Sequence, residues 1–248
     1  MTESLDQTPG ARRISAPPSL SVLAAEALRE MVLSGDLRPG DRVIENRLTE
    51  ELGISRPPLR EAMRVLEQEG LIVQVPRKGA VVAPVTPHDI YEIVSLREEI
   101  EQIAVRLGVP VRSPERLDRL RRAFRDLEEA AEEPGGSRVV ESSFAFHLAI
   151  VGLAGHRRLE DTYRSLSLQM RMCMAMNRRA RRTHETLAGD ALRHRRILEL
   201  VEAGDPAAVH HELAHHGDHS FLTDADETFP GSSPESLGWL ERIRSHAG

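Results

Sequence analysis

One cysteine, Cys173, stands in a chain of 248 residues. That excludes an internal disulfide framework and fits a reducing compartment. Its surroundings, Met170-Arg171-Met172-Cys173-Met174-Ala175-Met176, suit packing better than thiol chemistry. Aromatic residues are scarce at 3%, while Leu, Ala, Arg and Glu abound, a balance that favours helices. No apolar run approaches a membrane span, and the N-terminus lacks the apolar stretch of a signal peptide, so a soluble, cytoplasmic protein is expected. There is no excess of positive charge either, the formal net charge being −6, and no internal repeat. What is present, 40% hydrophobic residues over this length, is enough for two domains of ordinary size.

The most informative stretch runs from Leu52 to Glu69. Gly53 breaks one helical run, and Ser55 can accept from the free N–H groups that open the next. Pro57 and Pro58 fall in the first turn of that helix, where a missing N–H costs nothing. Leu59, Met63 and Leu66 then share one buried face, while Arg56, Arg60 and Arg64 share another at four-residue steps. A guanidinium fork matches the O6 and N7 acceptors of guanine and also binds phosphate, so this helix suits duplex DNA. The alternative is a solvated face partnered by Glu61 and Glu67.

The flanks favour DNA. Upstream, Leu20, Leu23, Ala24, Ala27 and Met31 make an amphipathic helix ending at Ser34-Gly35-Asp36, followed by a Pro39-Gly40 turn. Downstream, residues 70–75 and 80–85 are two β-branched strands around the basic turn Pro76-Arg77-Lys78-Gly79. Three helices and a basic hairpin make a winged helix-turn-helix. Residues 20–85 carry nine Arg or Lys against ten Asp or Glu, so DNA affinity depends on where the charges sit. Arg56, Arg60, Arg64, Arg77 and Lys78 converge on the recognition helix and wing.

Leu37-Arg38-Pro39-Gly40-Asp41-Arg42-Val43, residues 52–62, Leu66-Glu67-Gln68-Glu69-Gly70-Leu71 and Arg77-Lys78-Gly79 together resemble the DNA-binding domain of GntR-type bacterial transcription regulators. The resemblance continues through Asp89-Ile90, Arg97 and Glu101 into the all-helical effector domain of the FadR (FCD) branch, and covers roughly residues 20–222. It implies a ligand-responsive regulator, most often a repressor in this family, that binds a pseudo-palindromic operator as a homodimer. Ser55, Arg56, Pro57 and Arg60 are then expected closest to base edges and phosphates, Arg38 and Arg47 near the DNA backbone, and Lys78 at the wing.

The domain expectations are a disordered tail over 1–18, the winged helix-turn-helix over 19–85, an effector-binding and dimerisation domain over 86–224, and a tail over 225–248. That last tail holds an apolar patch at Leu237, Trp239, Leu240 and Ile243, which suits either a docked helix or a disordered end. Thr86 can cap a helix with Asp89 as its partner. Six helices are expected in the effector half: Pro87–Leu107, Pro114–Glu132, Arg138–Leu153, His156–Arg181, Thr186–Ala203 and Pro206–Thr223.

Histidine is the chemically interesting residue of this half. His147, His194 and His216 lie on separate expected helices, and three imidazoles of a bundle can converge on one divalent transition metal. With 11 histidines in the chain, solvated or core histidines are the competing reading. The resemblance points to metal, since members of the branch often place an Asp four residues before the first of three such histidines. Here that position holds Ser143, a change expected to weaken a site for zinc, nickel or manganese, shift its metal preference, or leave it empty. His211 and His215 are the rival ligands and are expected to be solvated. Arg97 and Arg171 are candidate cations for a small organic acid effector; the alternative for each is an ordinary ion pair, Arg97 with Glu101. No zinc-hydrolase Glu motif accompanies the histidines, so an enzyme is not expected. A metal-free regulator responding to acyl-CoA, or one with a degenerate pocket, is the competing reading of the effector half, and a metalloenzyme fused to a DNA-binding head the remote one.

Overall fold

The computed structural model describes residues 17–133, 137–181, 186–216 and 231–246; the tail expected over 1–18 lies almost wholly outside them. The described residues form eleven helices and one two-stranded antiparallel sheet, the mainly helical fold with an N-terminal winged helix-turn-helix that the sequence implies.

Helix α1 (Leu20–Ser34) starts where the Ser19 hydroxyl accepts from the Val22 N–H and stops at Gly35, whose φ of 88° is the left-handed region open to glycine. Its buried stripe is Ala24, Ala25, Leu28, Met31 and Val32. Leu20 and Leu23, expected on that stripe, are exposed instead. Helix α2 (Glu45–Leu52) ends at Gly53, φ 63°, and α3 (Arg56–Gln68) follows with Pro57 in its first turn. Ser55 occupies the N-cap position in extended backbone, yet its side chain makes no capping bond. The wing pairs β1 (Ile72–Val75) with β2 (Gly79–Val82) in the register Ile72↔Val82 and Val75↔Gly79. Leu28, Leu48, Leu59, Leu66, Leu71 and Val82 close the core of this domain.

Thr86 opens the second half with the expected capping box: it accepts from the Asp89 N–H, and the Asp89 carboxylate accepts from the Thr86 N–H. There follow α4 (Pro87–Gly108), α5 (Pro114–Glu132), α6 (Ser137–Leu153), α7 (Arg157–Ser165), α8 (Ser167–Arg181), α9 (Leu187–Ala203) and α10 (Pro206–His216). The helix expected over 156–181 is two, broken at Leu166, whose N–H turns back to the Tyr163 and Arg164 carbonyls. The break splits allegiances: Tyr163 packs with Phe144 and Ala104, whereas Leu168 and Met172 join the core of the N-terminal, winged-helix half. The last expected helix is described as far as His216, its reach to Thr223 lying outside the described residues. The apolar patch of the C-terminal tail is a docked helix, α11 (Pro234–His246), with Trp239 and Leu240 buried.

The residues that position the site come from the bundle core. Phe124, Phe146, Ile150, Ile197 and Val201 hold α5, α6 and α9 together, so the inward faces of α6 and α9 look at each other from fixed backbones.

Candidate functional site

Two regions carry chemistry. On the first, α3 presents Arg56, Arg60 and Arg64 on its exposed face. Arg60 Nε donates to both Glu45 carboxylate oxygens at 3.1 and 3.0 Å, and an Arg56 N–H donates to Asn46 Oδ1 at 3.0 Å. The two arginines thus staple α3 to α2. Arg38, Arg47, Ser55, Pro57 and Lys78 are all exposed, and Arg47 pairs with Glu51 at 3.4 Å. At the wing tip Arg77 adopts a φ of 66°, which lets the turn close beside Lys78.

The second region is buried. His147 on α6, His194 on α9 and His216 at the end of α10 are 1%, 1% and 5% exposed, and each offers a ring nitrogen within 4.8 Å of the others. His194 Nδ1 lies 2.8 Å from the Asp190 carbonyl. A carbonyl only accepts, so Nδ1 carries the proton and Nε2 keeps a lone pair. That Nε2 lies 3.1 Å from His216 Nε2 and 2.9 Å from Ser143 Oγ. His147 Nδ1 sits 3.1 Å from Glu101 Oε1, which places its proton there and leaves Nε2 as an acceptor, at 3.1 Å from an Arg97 N–H. His216 Nδ1 is buried with no hydrogen-bond partner among the described residues.

Behind the imidazoles stands a charged network. Glu101 accepts from Arg97 Nε at 2.8 Å and from the Tyr163 hydroxyl at 2.7 Å, all on one oxygen. Burial opposes the charge on Glu101, but Arg97 and then His147 outweigh it and hold the carboxyl well below the usual range. Arg97, buried against Glu101, stays charged. Burial, then repulsion from Arg97, keeps His147 neutral. Burial lowers His194 to about 4 and, with the neighbouring histidines, holds His216 well below its ordinary value.

This donor set fits a divalent transition metal. The ligating form of histidine is neutral, and burial enforces it. On two of the three rings Nδ1–H is tied to a carbonyl or a carboxylate so that Nε2 faces inward, as metal-bound histidines are held. The unpartnered His216 nitrogen is a buried donor or acceptor that a ligand would satisfy.

The expected residues therefore divide. The structure brings together His147, His194, His216, Ser143 and Arg97. It places Arg171 elsewhere: the guanidinium donates to Glu141 at 2.7 Å and lines a cleft of about 880 Å³ shared with Glu26, Arg29 and Glu69. His211 and His215 are exposed. Tyr163 and Asp190 are parts of the site that sequence reasoning missed, and Glu101 was expected only as the ion-pair partner of Arg97, which it is. Glu101 had a signal, its four-residue spacing from Arg97 on α4; Tyr163 had none.

Residues 20–82 match the family model of bacterial regulatory proteins, gntR family, and residues 92–219 match the FCD domain. The HTH-type transcriptional regulator YdhC of Bacillus subtilis (strain 168) is 31% identical over 190 residues, 76% of this chain and 84% of that protein. The Nta operon transcriptional regulator of Aminobacter aminovorans is 31% identical over 156 residues, 62% of this chain and 74% of that protein. A crystal structure of a GntR regulator from Rhodococcus sp. RHA1 shares the fold at a TM-score of 0.66 and 24% identity, covering 83% of this chain and 99% of that one. The domains and relatives are those of regulators, not enzymes, and no helix among the described residues is long and apolar enough to cross a membrane. A winged helix-turn-helix joined to an FCD domain, and likeness to such regulators over three-quarters of its length, make this chain a member of the GntR family of DNA-binding transcription regulators.

Proposed function

We propose that the protein is a cytoplasmic, homodimeric repressor whose grip on DNA is set by a small carboxylate bound beside a metal at His147, His194 and His216. The observation that carries this reading is the convergence of three neutral, buried imidazoles next to a buried, charged Arg97. A divalent metal supplies a Lewis-acidic anchor for a carboxylate. His147 Nε2 accepts from Arg97 in the structure described. Were that lone pair given to a cation, His147 would no longer be free to accept at Nε2, and Arg97, its Nε on Glu101, would have an N–H to offer a carboxylate. Zinc, nickel and manganese are the candidate ions. Ser143 leaves the ligand set without negative charge of its own, which favours an anionic effector in the open position.

On the DNA side, the proposal takes the reading domain as residues 19–85 and the effector domain as 86–224. Two heads on a pseudo-palindrome sum contacts that one small head cannot supply alone. Ser55, Arg56, Pro57 and Arg60 lie closest to base edges and phosphates, Arg38 and Arg47 near the backbone, and Lys78 at the wing. Effector and DNA affinities are then reciprocally coupled.

Elemental analysis of the purified protein tests the proposal, beside a His147→Ala, His194→Ala double variant. The expected result is near-stoichiometric metal, lost in the variant, and thermal stabilisation by small carboxylates only in the metal-loaded protein. Absence of metal after soaking overturns the metal reading, and stabilisation by acyl-CoA instead would replace the carboxylate effector; neither touches the family assignment.

A further inference from the structure

Both α11 and the segment joining the two halves fall outside residues 20–82 and 92–219, the parts shared with the family models. Yet they are packed on each other. Trp239, the chain's one tryptophan, and Leu240 are buried against Ile90 and Val94 of α4 and Cys173 of α8, with Tyr91, Met176 and Val85 completing the patch. The Trp239 and Tyr91 rings meet edge-on, centroids 5.8 Å apart. At the start of α11, Ser233 Oγ lies 2.7 Å from His88 Nδ1 in the first turn of α4. Gly231, φ 95°, passes so close to Thr86 that a Cβ there would come within 2.6 Å of Thr86 Cγ2. Thr86 is the residue that caps α4.

These contacts matter because of what else the same residues hold. Val85 also packs on the core of the DNA-binding half. Helix α8 does the same one turn earlier than its contact with α11: Leu168 and Met172 belong to the DNA-binding core, Cys173 and Met176 to the α11 patch. Two routes from the effector half to the reading head, the joining segment and α8, thus also touch α11, while α6 meets α1 away from it.

We infer that α11 is a clasp, with Trp239 its positioning residue, that fixes the placement of the DNA-binding half by holding the joining segment, the start of α4 and α8 in one packed unit. The inference rests on residues 20–82 being the part that binds DNA. Without the clasp the head is still folded and still joined through Leu168 and Met172, but the joining segment and the start of α4 are released and its placement relative to the effector half loosens.

The molecule contains its own reporters, a sole tryptophan and a sole cysteine on the two sides of one patch. In the full-length protein, Trp239→Ala is expected to raise the rate of Cys173 labelling by a maleimide at least tenfold. Amide hydrogen exchange should quicken in the first turn of α4 and along the α1 and α8 contact, with α6 and α9 unchanged. Trp239→Phe should restore most of the protection. On DNA, the alanine variant's preference for a full operator over a single half-site should fall at least fivefold. Unchanged labelling, or faster exchange confined to α11 itself, overturns the clasp. Should Trp239→Ala fail to fold, His88→Ala removes the bond to Ser233 without opening the apolar patch; faster exchange in the first turn of α4 supports the clasp, and none overturns it. A wild-type protein that prefers no operator to a half-site refutes the two-headed reading alone, because labelling and exchange still decide the clasp.

Discussion

Ser143 shares a face of α6 with His147, one turn on, and its hydroxyl reaches His194 Nε2 at 2.9 Å. A carboxylate there would add a formal charge to a set of neutral ligands. Ser143→Asp is expected to tighten zinc at least tenfold by isothermal titration calorimetry, and to lower the stability of the metal-free protein, which must then bury an extra anion. Unchanged zinc affinity would mean that Ser143 does not face the ion. The histidines also set a pH dependence. Burial depresses all three, His194 to about 4, so below the ordinary imidazole value of about 6.5 the unfolded chain binds protons that the folded chain refuses. Stability of the metal-free protein is therefore expected to fall as pH drops below about 6.5, with a limiting slope of about 1.4 kcal/mol per pH unit from His194 down to about pH 4 and further loss from His147 and His216. Urea denaturation at pH 7.5, 6 and 5 checks the slope; a level profile would show that water reaches the imidazoles. The three histidines and Arg97 were legible in the sequence because resemblance and helical spacing marked them. Tyr163 and Asp190 were not, since what recruits them is the crossing of helices distant in the chain, which no local pattern encodes.

At the scale of the element, α2 and α3 show how a reading helix without excess charge is kept in order. Glu45 holds Arg60 and Asn46 holds Arg56, so on the proposed reading a DNA contact by either arginine would replace a bond already made. Arg60→Ala should weaken binding by about 1–3 kcal/mol if the guanidinium grips a guanine bidentately, and fluorescence polarisation on operator and scrambled duplexes separates the cases. Equal weakening on both would reassign Arg60 to phosphate. Elements with strong punctuation were legible throughout: Gly53 and Gly204 end helices in left-handed backbone, and Thr86 with Asp89 begins one. The break at Leu166 was hidden because helical spacing runs on through it, and no glycine or proline marks it. Ser55 was legible as a position but not as a bond.

At the scale of the whole molecule, the two halves are joined less by the short segment between them than by a common interior. Leu168 and Met172, from an effector-domain helix, are 9% and 5% exposed inside the core of the DNA-binding half, and Val85 packs on both sides. Unfolding is expected as a single calorimetric transition, and limited proteolysis should not release a stable fragment ending near residue 85. Two separate transitions would show that the shared core contributes little. Regulators of this architecture invite the idea that a reading head can be moved from one sensor to another like a plug. Here the socket is part of the plug: a graft that keeps Leu28, Leu66 and Leu71 but changes the partners at 168 and 172 would leave an apolar face uncovered, so new pairings of operator and signal need compensating changes in α8.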